Sequence, residues 1–185
     1  MAFRSTVVIL NGVGSVGKTS IARALQAISR DALLHVQMDA FLDMLPERLM
    51  DDPATFHFVR ETLALAPSVR IDVGPAGKRL MSGMRAAVGA LADAGNSLVV
   101  DEVMLGGEAD EYRRLLSGHA LRLVGVHAPL EIIEERERLR GDRMIGLARW
   151  QFDKVHRGIA YDLEISTADE PAASCAARIR DAFDL

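Results

Sequence analysis

Residues 12–19 read GVGSVGKT, and no other stretch constrains the fold as strongly. They follow an apolar run at 7–10 and precede a helix-forming segment that begins near Ser20. The spacing G-x-x-x-x-G-K-[ST] between a strand and a helix is typical of a phosphate-binding loop, because glycines let backbone N–H groups turn towards an anion. The alternative is a glycine-rich turn that binds nothing. The complete motif favours the phosphate loop and predicts that the chain binds a nucleoside triphosphate.

The same motif predicts individual roles within the loop. Lys18 is expected to reach the β- and γ-phosphates, and the Thr19 hydroxyl is expected to ligate Mg²⁺. ATP and Mg²⁺ are therefore the predicted cofactors. The predicted nucleotide-binding residues are Gly12, Val13, Gly14, Ser15, Val16, Gly17, Lys18, Thr19 and, further along the chain, Arg136.

Strand-like and helix-like segments alternate along the chain. Apolar runs predict strands over 7–11, 33–38, 98–100, 121–127 and 163–165, with helical patterns between them, one of which covers 147–157. This alternation predicts an α/β fold in three layers, with a parallel five-stranded sheet flanked by helices. A chain of 185 residues suits one domain, so we expect a single unit over residues 1–185.

Composition excludes several classes of partner. A formal net charge of −4 argues against a general nucleic-acid surface, and no apolar run approaches the ~20 residues of a membrane span. Residues 1–6 lead directly into the first strand, and the only cysteine, Cys175, has no partner for an internal disulfide. We therefore expect a cytoplasmic protein with no membrane partner. A homo-oligomer is left open.

Two acidic positions follow predicted strands. Asp101 ends the apolar run LVVD, where phosphate-loop proteins hold Mg²⁺, although a carboxylate there can also merely cap the next turn. Asp39 ends the second strand and is the predicted general base for an acceptor hydroxyl, because ligands bind at the carboxyl ends of parallel strands. The alternative for Asp39 is an N-cap of a helix that starts at Ala40. Glu102 indicates either water activation or a role in steering the acceptor or metal.

Arginines cluster between residues 136 and 143. Arg136, Arg138, Arg140 and Arg143 suit either a solvated helix face or a lid that closes over the triphosphate. Gly141 and nearby Gly146 favour a lid at about 139–147. Arg140 and Arg143 are predicted to contact the transferred phosphoryl group, because planar guanidinium groups match phosphate oxygens.

The least regular stretch is 51–77, which Pro53, Pro67 and Pro75 interrupt. A helix is predicted over 41–50, and a substrate-specific insertion is predicted over about 45–77. Arg48, Arg60 and Arg70 within it would suit a polar or anionic acceptor.

Several segments together resemble the chloramphenicol phosphotransferases, P-loop kinases related in architecture to shikimate and nucleotide kinases. The resemblance is spread over most of the chain and is least in 45–77. It is carried by ILNG-x-x-S-x-GK at the start, the strand before Asp39, DEVMLGG at 101–107, RGDRMIG at 140–146, Gln151, Val155-His156, and YDLEI at 161–165. Two departures are Thr19 in place of a serine and Glu102 in place of a second aspartate.

The resemblance implies transfer of the ATP γ-phosphate to the primary hydroxyl of chloramphenicol. It also implies that Asp39 is the base and that Arg140 and Arg143 are lid residues. Two alternatives stay open: a kinase for another small hydroxylated antibiotic or metabolite, and a nucleotide-dependent switch with slow hydrolysis, which Glu102 would suit.

Overall fold

The computed structural model of the chain describes residues 5–62, 67–141 and 144–185. Its strands are β1 (Thr6–Asn11), β2 (Leu33–Gln37), β3 (Phe56–Thr62), β4 (Pro67–Val73), β5 (Ser97–Glu102), β6 (Ala120–His127) and β7 (Leu163–Ser166). Its helices are α1 (Lys18–Ile28), α2 (Met38–Leu42), α3 (Pro75–Asp93), α4 (Glu108–Leu115), α5 (Leu130–Arg140), α6 (Leu147–Phe152) and α7 (Ala172–Phe183), with a 3₁₀ turn at Glu47–Leu49.

A parallel five-stranded sheet forms the centre of the fold, as predicted. Its order is β2-β5-β1-β6-β7. In this register Asp101 on β5 lies beside Leu10 on one side and Gln37 on the other. The carboxyl ends of β1, β2 and β5 therefore meet at one edge, which is where ligands bind in open parallel sheets.

Both faces of the sheet are covered by helices, which makes three layers. On β1, Val8 and Leu10 pack in one cluster with residues of α1 and α7, including the buried Cys175. Val7 and Ile9 point the other way and pack with residues of α3 and α4. Burial on both faces explains why these strands read as continuous apolar runs. Within the described residues no helix is long and apolar enough to cross a membrane.

The segment predicted to be irregular contains an antiparallel hairpin instead. β3 and β4 pair from Phe56↔Val73 to Thr62↔Pro67 as a separate two-stranded sheet. The prolines lie at element ends: Pro67 starts β4, and Pro75 is the first residue of α3, where no backbone N–H is needed. They delimit regular structure here rather than exclude it.

Two helix predictions were wrong in extent. The helix expected over 41–50 is replaced by the short α2 and the 3₁₀ turn, with Pro46 between them. The helix expected over 147–157 ends at Phe152, because the chain continues in hydrogen-bonded turns. Prolines and turns close to a helix end shift its limits by a few residues without removing it.

Candidate active site

The phosphate loop connects β1 to α1 in a shape that requires glycine. A Cβ on Gly12 would lie 2.5 Å from the carbonyl oxygen of Val126, and Gly17 has a φ of 104° immediately before α1. Lys18 is buried, and its Nζ donates to the carbonyl oxygens of Gly12 at 2.7 Å and Val13 at 2.9 Å. These contacts hold the ammonium group over the loop at the positive end of α1.

Asp101 is the centre of a hydrogen-bonded chain at the carboxyl edge of the sheet. Its Oδ2 accepts from the Thr19 hydroxyl at 2.9 Å and lies 3.0 Å from Nε2 of His35. Nδ1 of His35 is 3.2 Å from the amide nitrogen of Gln37. If the Gln37 amide donates to Nδ1, the proton of His35 sits on Nε2 and is directed at Asp101. The sequence predicted that Thr19 and Asp101 both serve the Mg²⁺ site, but it did not predict the contact between His35 and Asp101.

Asp101 is held in its ionised form. Burial by itself would raise the pKa of Asp101, but the hydrogen bonds from His35 and Thr19 and the charge of Lys18 outweigh it and leave the pKa below its usual value. A hydroxyl and an ionised carboxylate are the hard oxygen ligands that Mg²⁺ prefers. The described residues hold no cluster of three or more metal-binding side chains, so Mg²⁺ here would take its other ligands from phosphates and water.

Asp39 lies in the first turn of α2, two residues after β2 ends. The N-cap position of this helix is Gln37, so the alternative interpretation of Asp39 as the N-cap of a helix starting at Ala40 is wrong. The strand is one residue shorter than expected and the helix begins at Met38, which places Asp39 inside the helix. Asp39 lines the same cavity as Lys18, Thr19 and Asp101.

That cavity has a volume of about 930 Å³ and runs from the phosphate loop to the hairpin. At the hairpin end, Phe56 and Phe58 on β3 lie beside Val73 and Ile71 on β4, and all four line the cavity. Met81 of α3 completes this apolar end. The predicted site residues that line the cavity are Gly14, Ser15, Gly17, Lys18, Thr19, Asp39, Asp101, Arg136 and Arg140.

The arginines of the 45–77 segment do not line this cavity. Arg70 lies on the hairpin face opposite to the cavity and pairs with Glu61 at 3.2 Å and Asp72 at 3.0 Å. Arg48 and Arg60 are also absent from its lining. The cavity lining therefore gives no support to the expectation that these arginines favour an anionic acceptor. On β4, strand alternation turns Ile71 and Val73 to the cavity and Arg70 away from it.

The arginines that cluster between residues 136 and 143 differ in position. Arg136 donates to Thr167 through Nη1 (2.8 Å to Oγ1) and Nη2 (2.6 Å to the carbonyl oxygen), which fixes it beside the loop after β7. Arg140 is the last residue of α5, and Gly141, with a φ of 68°, ends the helix. Arg143, which was predicted to be a catalytic residue, lies outside the described residues.

The far end of the segment predicted to be a lid is anchored by a buried carboxylate. Glu137 accepts from the backbone N–H groups of Gly146 at 2.8 Å and Ala148 at 3.0 Å, at the start of α6. The carbonyl oxygen of Gly146 in turn accepts from the N–H of Val69 on β4 at 3.0 Å. Gly146 is thus joined to both α5 and the hairpin.

Glu102 is buried and held by two partners. Its Oε1 lies 2.9 Å from Nη1 of Arg85, and its Oε2 accepts from the Tyr112 hydroxyl. Burial raises the pKa of Glu102 despite the hydrogen bond from Tyr112 and the charge of Arg85. Both carboxylate oxygens are engaged in this arrangement, which does not favour the interpretation that Glu102 activates water.

Two further residues near the loop were not assigned a role from the sequence. Asn11 is fully buried; its amide donates to the Val155 carbonyl and the Tyr161 hydroxyl, both at 2.7 Å, and its Oδ1 accepts from Met104 N–H at 2.8 Å. Gln151 accepts from the N–H of Gly14 at 3.0 Å. Both belong to segments that carried the family resemblance, which was the only signal available.

The parallel sheet, the phosphate loop and the paired Thr19 and Asp101 together define the P-loop class of nucleotide-binding proteins, to which the P-loop kinases belong. The match to a family model over residues 5–184 is more specific. The chain belongs to the family described as chloramphenicol phosphotransferase-like proteins.

Similar proteins agree with this class. Two proteins from strains of Mycobacterium tuberculosis, provisionally named as O-phosphotransferases, are each 27% identical over 183 residues, covering 96% of this chain and 81% of the relative. The solved APS kinase of M. tuberculosis has a TM-score of 0.66 at 16% identity, covering 98% of this chain and 99% of that one. A gluconokinase from Sinorhizobium meliloti has a TM-score of 0.61 at 20% identity, covering 100% and 98%. These likenesses in structure concern the fold.

Proposed function

We propose that this protein transfers the γ-phosphoryl group of ATP to a hydroxyl of an apolar small molecule, with the primary hydroxyl of chloramphenicol as the first candidate. The observation that carries the proposal is that Lys18, Thr19 and Asp39 line the same cavity as the apolar residues of the hairpin. An aromatic alcohol fits the chemistry of that lining, since Phe56 and Phe58 offer ring surfaces. In a cell that meets the antibiotic, this reaction would confer resistance.

In the proposed reaction Asp39 accepts the proton of the acceptor hydroxyl as its oxygen forms a bond to the γ-phosphorus. The bond from that phosphorus to the β–γ bridging oxygen breaks, and its electron pair leaves on ADP. Lys18, Arg140 and Arg143 offset negative charge on the transferred group. Mg²⁺, held by Thr19 with Asp101, would neutralise phosphate charge when bound.

The proposal also assigns the parts of the chain. Residues 12–19 and Arg136 bind the nucleotide, about 45–77 binds the acceptor and about 139–147 forms the lid of one kinase domain. The loop after β7, with Thr167, Glu170 and Pro171 on the cavity wall, is suited to the nucleoside end of ATP. Adjacent placement of donor and acceptor ends favours transfer over hydrolysis.

The test is ADP release measured with chloramphenicol and with chloramphenicol acetylated at its primary hydroxyl. We expect release that depends on the free hydroxyl and a phosphorylated product by mass spectrometry. If the two compounds give equal release, the primary hydroxyl of chloramphenicol is not the acceptor, and a panel of hydroxylated antibiotics, nucleosides and sugars identifies the alternative. Release that never depends on an acceptor would support the switch.

Asp39→Asn tests the base. Loss of the carboxylate should lower acceptor-dependent turnover by about 10²–10⁴-fold, the usual contribution of a general base, because the amide cannot take the proton. ATP affinity should change by less than about twofold, since the proposed role of Asp39 is in the chemical step rather than in nucleotide binding. Asp43→Asn, an exposed carboxylate at the end of α2, is the matched control. Unchanged turnover in Asp39→Asn would remove the base assignment.

A further inference from the structure

Arg85 is a buried cation on the wall of the cavity that the phosphate-transfer scheme leaves without a role. It lies on α3, and its side chain is 10% exposed. It lines the same cavity as Asp39 and the apolar hairpin residues. A buried guanidinium is costly to desolvate, so its retention beside a substrate cavity calls for a physical account.

Two carboxylates hold the guanidinium in a fixed plane. Nε donates to Glu111 at 2.5 Å, and Nη1 donates to Glu102 at 2.9 Å. The Tyr112 hydroxyl donates to the second oxygen of Glu102, which keeps that carboxylate from rotating. A guanidinium held at two of its nitrogens has a defined direction for the third, because the group is planar.

The third nitrogen is the one left for a ligand. Within the described residues no atom accepts a hydrogen bond from Nη2 of Arg85. Glu102 and Glu111 together supply two carboxylates against the single positive charge of Arg85. The guanidinium charge is therefore already matched, with one negative charge in excess. An N–H donor in such a neutral-to-acidic setting suits an uncharged oxygen and disfavours a carboxylate or phosphate.

We propose that Arg85 binds a second, uncharged oxygen of the acceptor, a hydroxyl or carbonyl, and so determines acceptor specificity. The inference rests on the proposed kinase function and deepens it. The preferred acceptor then combines an apolar body for the hairpin, a hydroxyl for Asp39 and a neutral oxygen for Arg85. Glu102 and Glu111 act through Arg85 as positioning residues.

Three alcohols that share one skeleton test this reading. The three compounds share a phenyl-bearing carbon and a primary hydroxyl and differ in one substituent on that carbon. The substituent is a methyl group in hydratropyl alcohol, a hydroxymethyl group in the diol formed by reducing tropic acid, and a carboxylate in tropate. For each, kcat and KM are measured by ADP release. Binding is measured separately by ligand-observed NMR with Mg²⁺ and a non-hydrolysable ATP analogue, so that affinity is known even where no phosphate is transferred.

In the wild-type protein we expect kcat/KM for the diol to exceed that for the methyl compound by a factor of about ten. That factor corresponds to one hydrogen bond from a charged donor. Tropate should be no better than the methyl compound. Arg85→Lys should reduce the diol preference to within about twofold, mainly through KM, because an ammonium group lacks the planar third donor. Arg79→Gln, an exposed arginine on the same helix, should leave it unchanged.

Three other results overturn the inference, and a fourth bears on the kinase proposal alone. A wild-type preference for tropate would point to a cationic subsite, for which Lys78 on the cavity wall is the candidate. A diol preference that survives Arg85→Lys would assign it to another residue. If Arg85→Lys does not fold, Glu111→Gln decides, and an undiminished diol preference there overturns the role of Arg85. Diol binding without phosphorylation of any probe would instead refute the kinase proposal and leave the subsite standing.

Discussion

Asn11→Ala should destabilise the fold more than its small size suggests. The side chain is fully buried and makes three hydrogen bonds to groups that are distant in sequence. Alanine removes all three. The Val155 carbonyl and the Met104 N–H would lose these partners, while the Tyr161 hydroxyl keeps Nδ1 of His156 at 2.7 Å.

The magnitude follows from those two backbone groups. A buried polar group left without a partner costs about 1–3 kcal/mol, so two of them cost about 4 kcal/mol in free energy of unfolding. For a domain of this size about 1 kcal/mol shifts Tm by roughly 2–4 °C, which predicts a fall of about 10 °C. Tyr161→Phe should cost only about 1 kcal/mol, because the Asn11 amide keeps its bond to Val155.

Urea denaturation followed by far-ultraviolet circular dichroism, together with thermal melts, measures both quantities. Asn96→Ala is the matched control, since its amide makes one hydrogen bond, to the Leu91 carbonyl at 2.9 Å, in a partly buried turn. It should cost less than about 1 kcal/mol. If Asn11→Ala costs no more than Asn96→Ala, water or local rearrangement satisfies the buried groups, and the reasoning from unpaired partners is refuted.

Two other predictions concern the titrating and metal-binding groups. Asp101→Asn should weaken Mg²⁺-dependent ATP binding by about tenfold or more, because Thr19 and His35 lose an ionised partner. Asp110→Asn, which changes an exposed carboxylate, should leave this binding unchanged. Calorimetry with and without Mg²⁺ measures both affinities. Burial, then the charges of His127 and Lys18, lower the pKa of His156 to about 4. The unfolded chain, with an ordinary histidine pKa of about 6.5, therefore binds more protons between these values, so the contribution of His156 to stability should be complete above about pH 7 and be lost progressively as the pH falls towards 4. His156→Gln should flatten that slope in urea titrations, and an equally steep slope in the variant would contradict the assignment.

The central sheet was predictable because its strands are covered on both faces and so read as apolar runs. The hairpin was missed although Phe56 and Phe58, and Val69, Ile71 and Val73, alternate as strand residues do. Three nearby prolines outweighed that alternation in the prediction. Pro67 is nonetheless tolerated because it starts a strand of a two-stranded sheet.

The candidate site was predictable only where a local motif carries it. Lys18 and Thr19 belong to one continuous segment, and Asp101 follows an apolar strand. His35 and Arg85 reach their carboxylates across 66 and 17 residues of sequence, through pairing of β2 with β5 and packing of α3. Such contacts are set by the register of the folded chain and leave no local pattern.

The hydrogen bond between Val69 and Gly146 has a consequence for the timing of the proposed reaction. It ties β4, which lines the proposed acceptor end of the cavity, to one end of the segment proposed as the lid. A Cβ on Gly146 would lie 2.7 Å from the Pro67 carbonyl oxygen, so the two backbones are in direct contact there. If that segment closes over ATP as proposed, motion at one backbone would be transmitted to the other, and by linkage the acceptor would favour closure as much as closure favours the acceptor. Such a joint would suppress ATP consumption until an acceptor is seated.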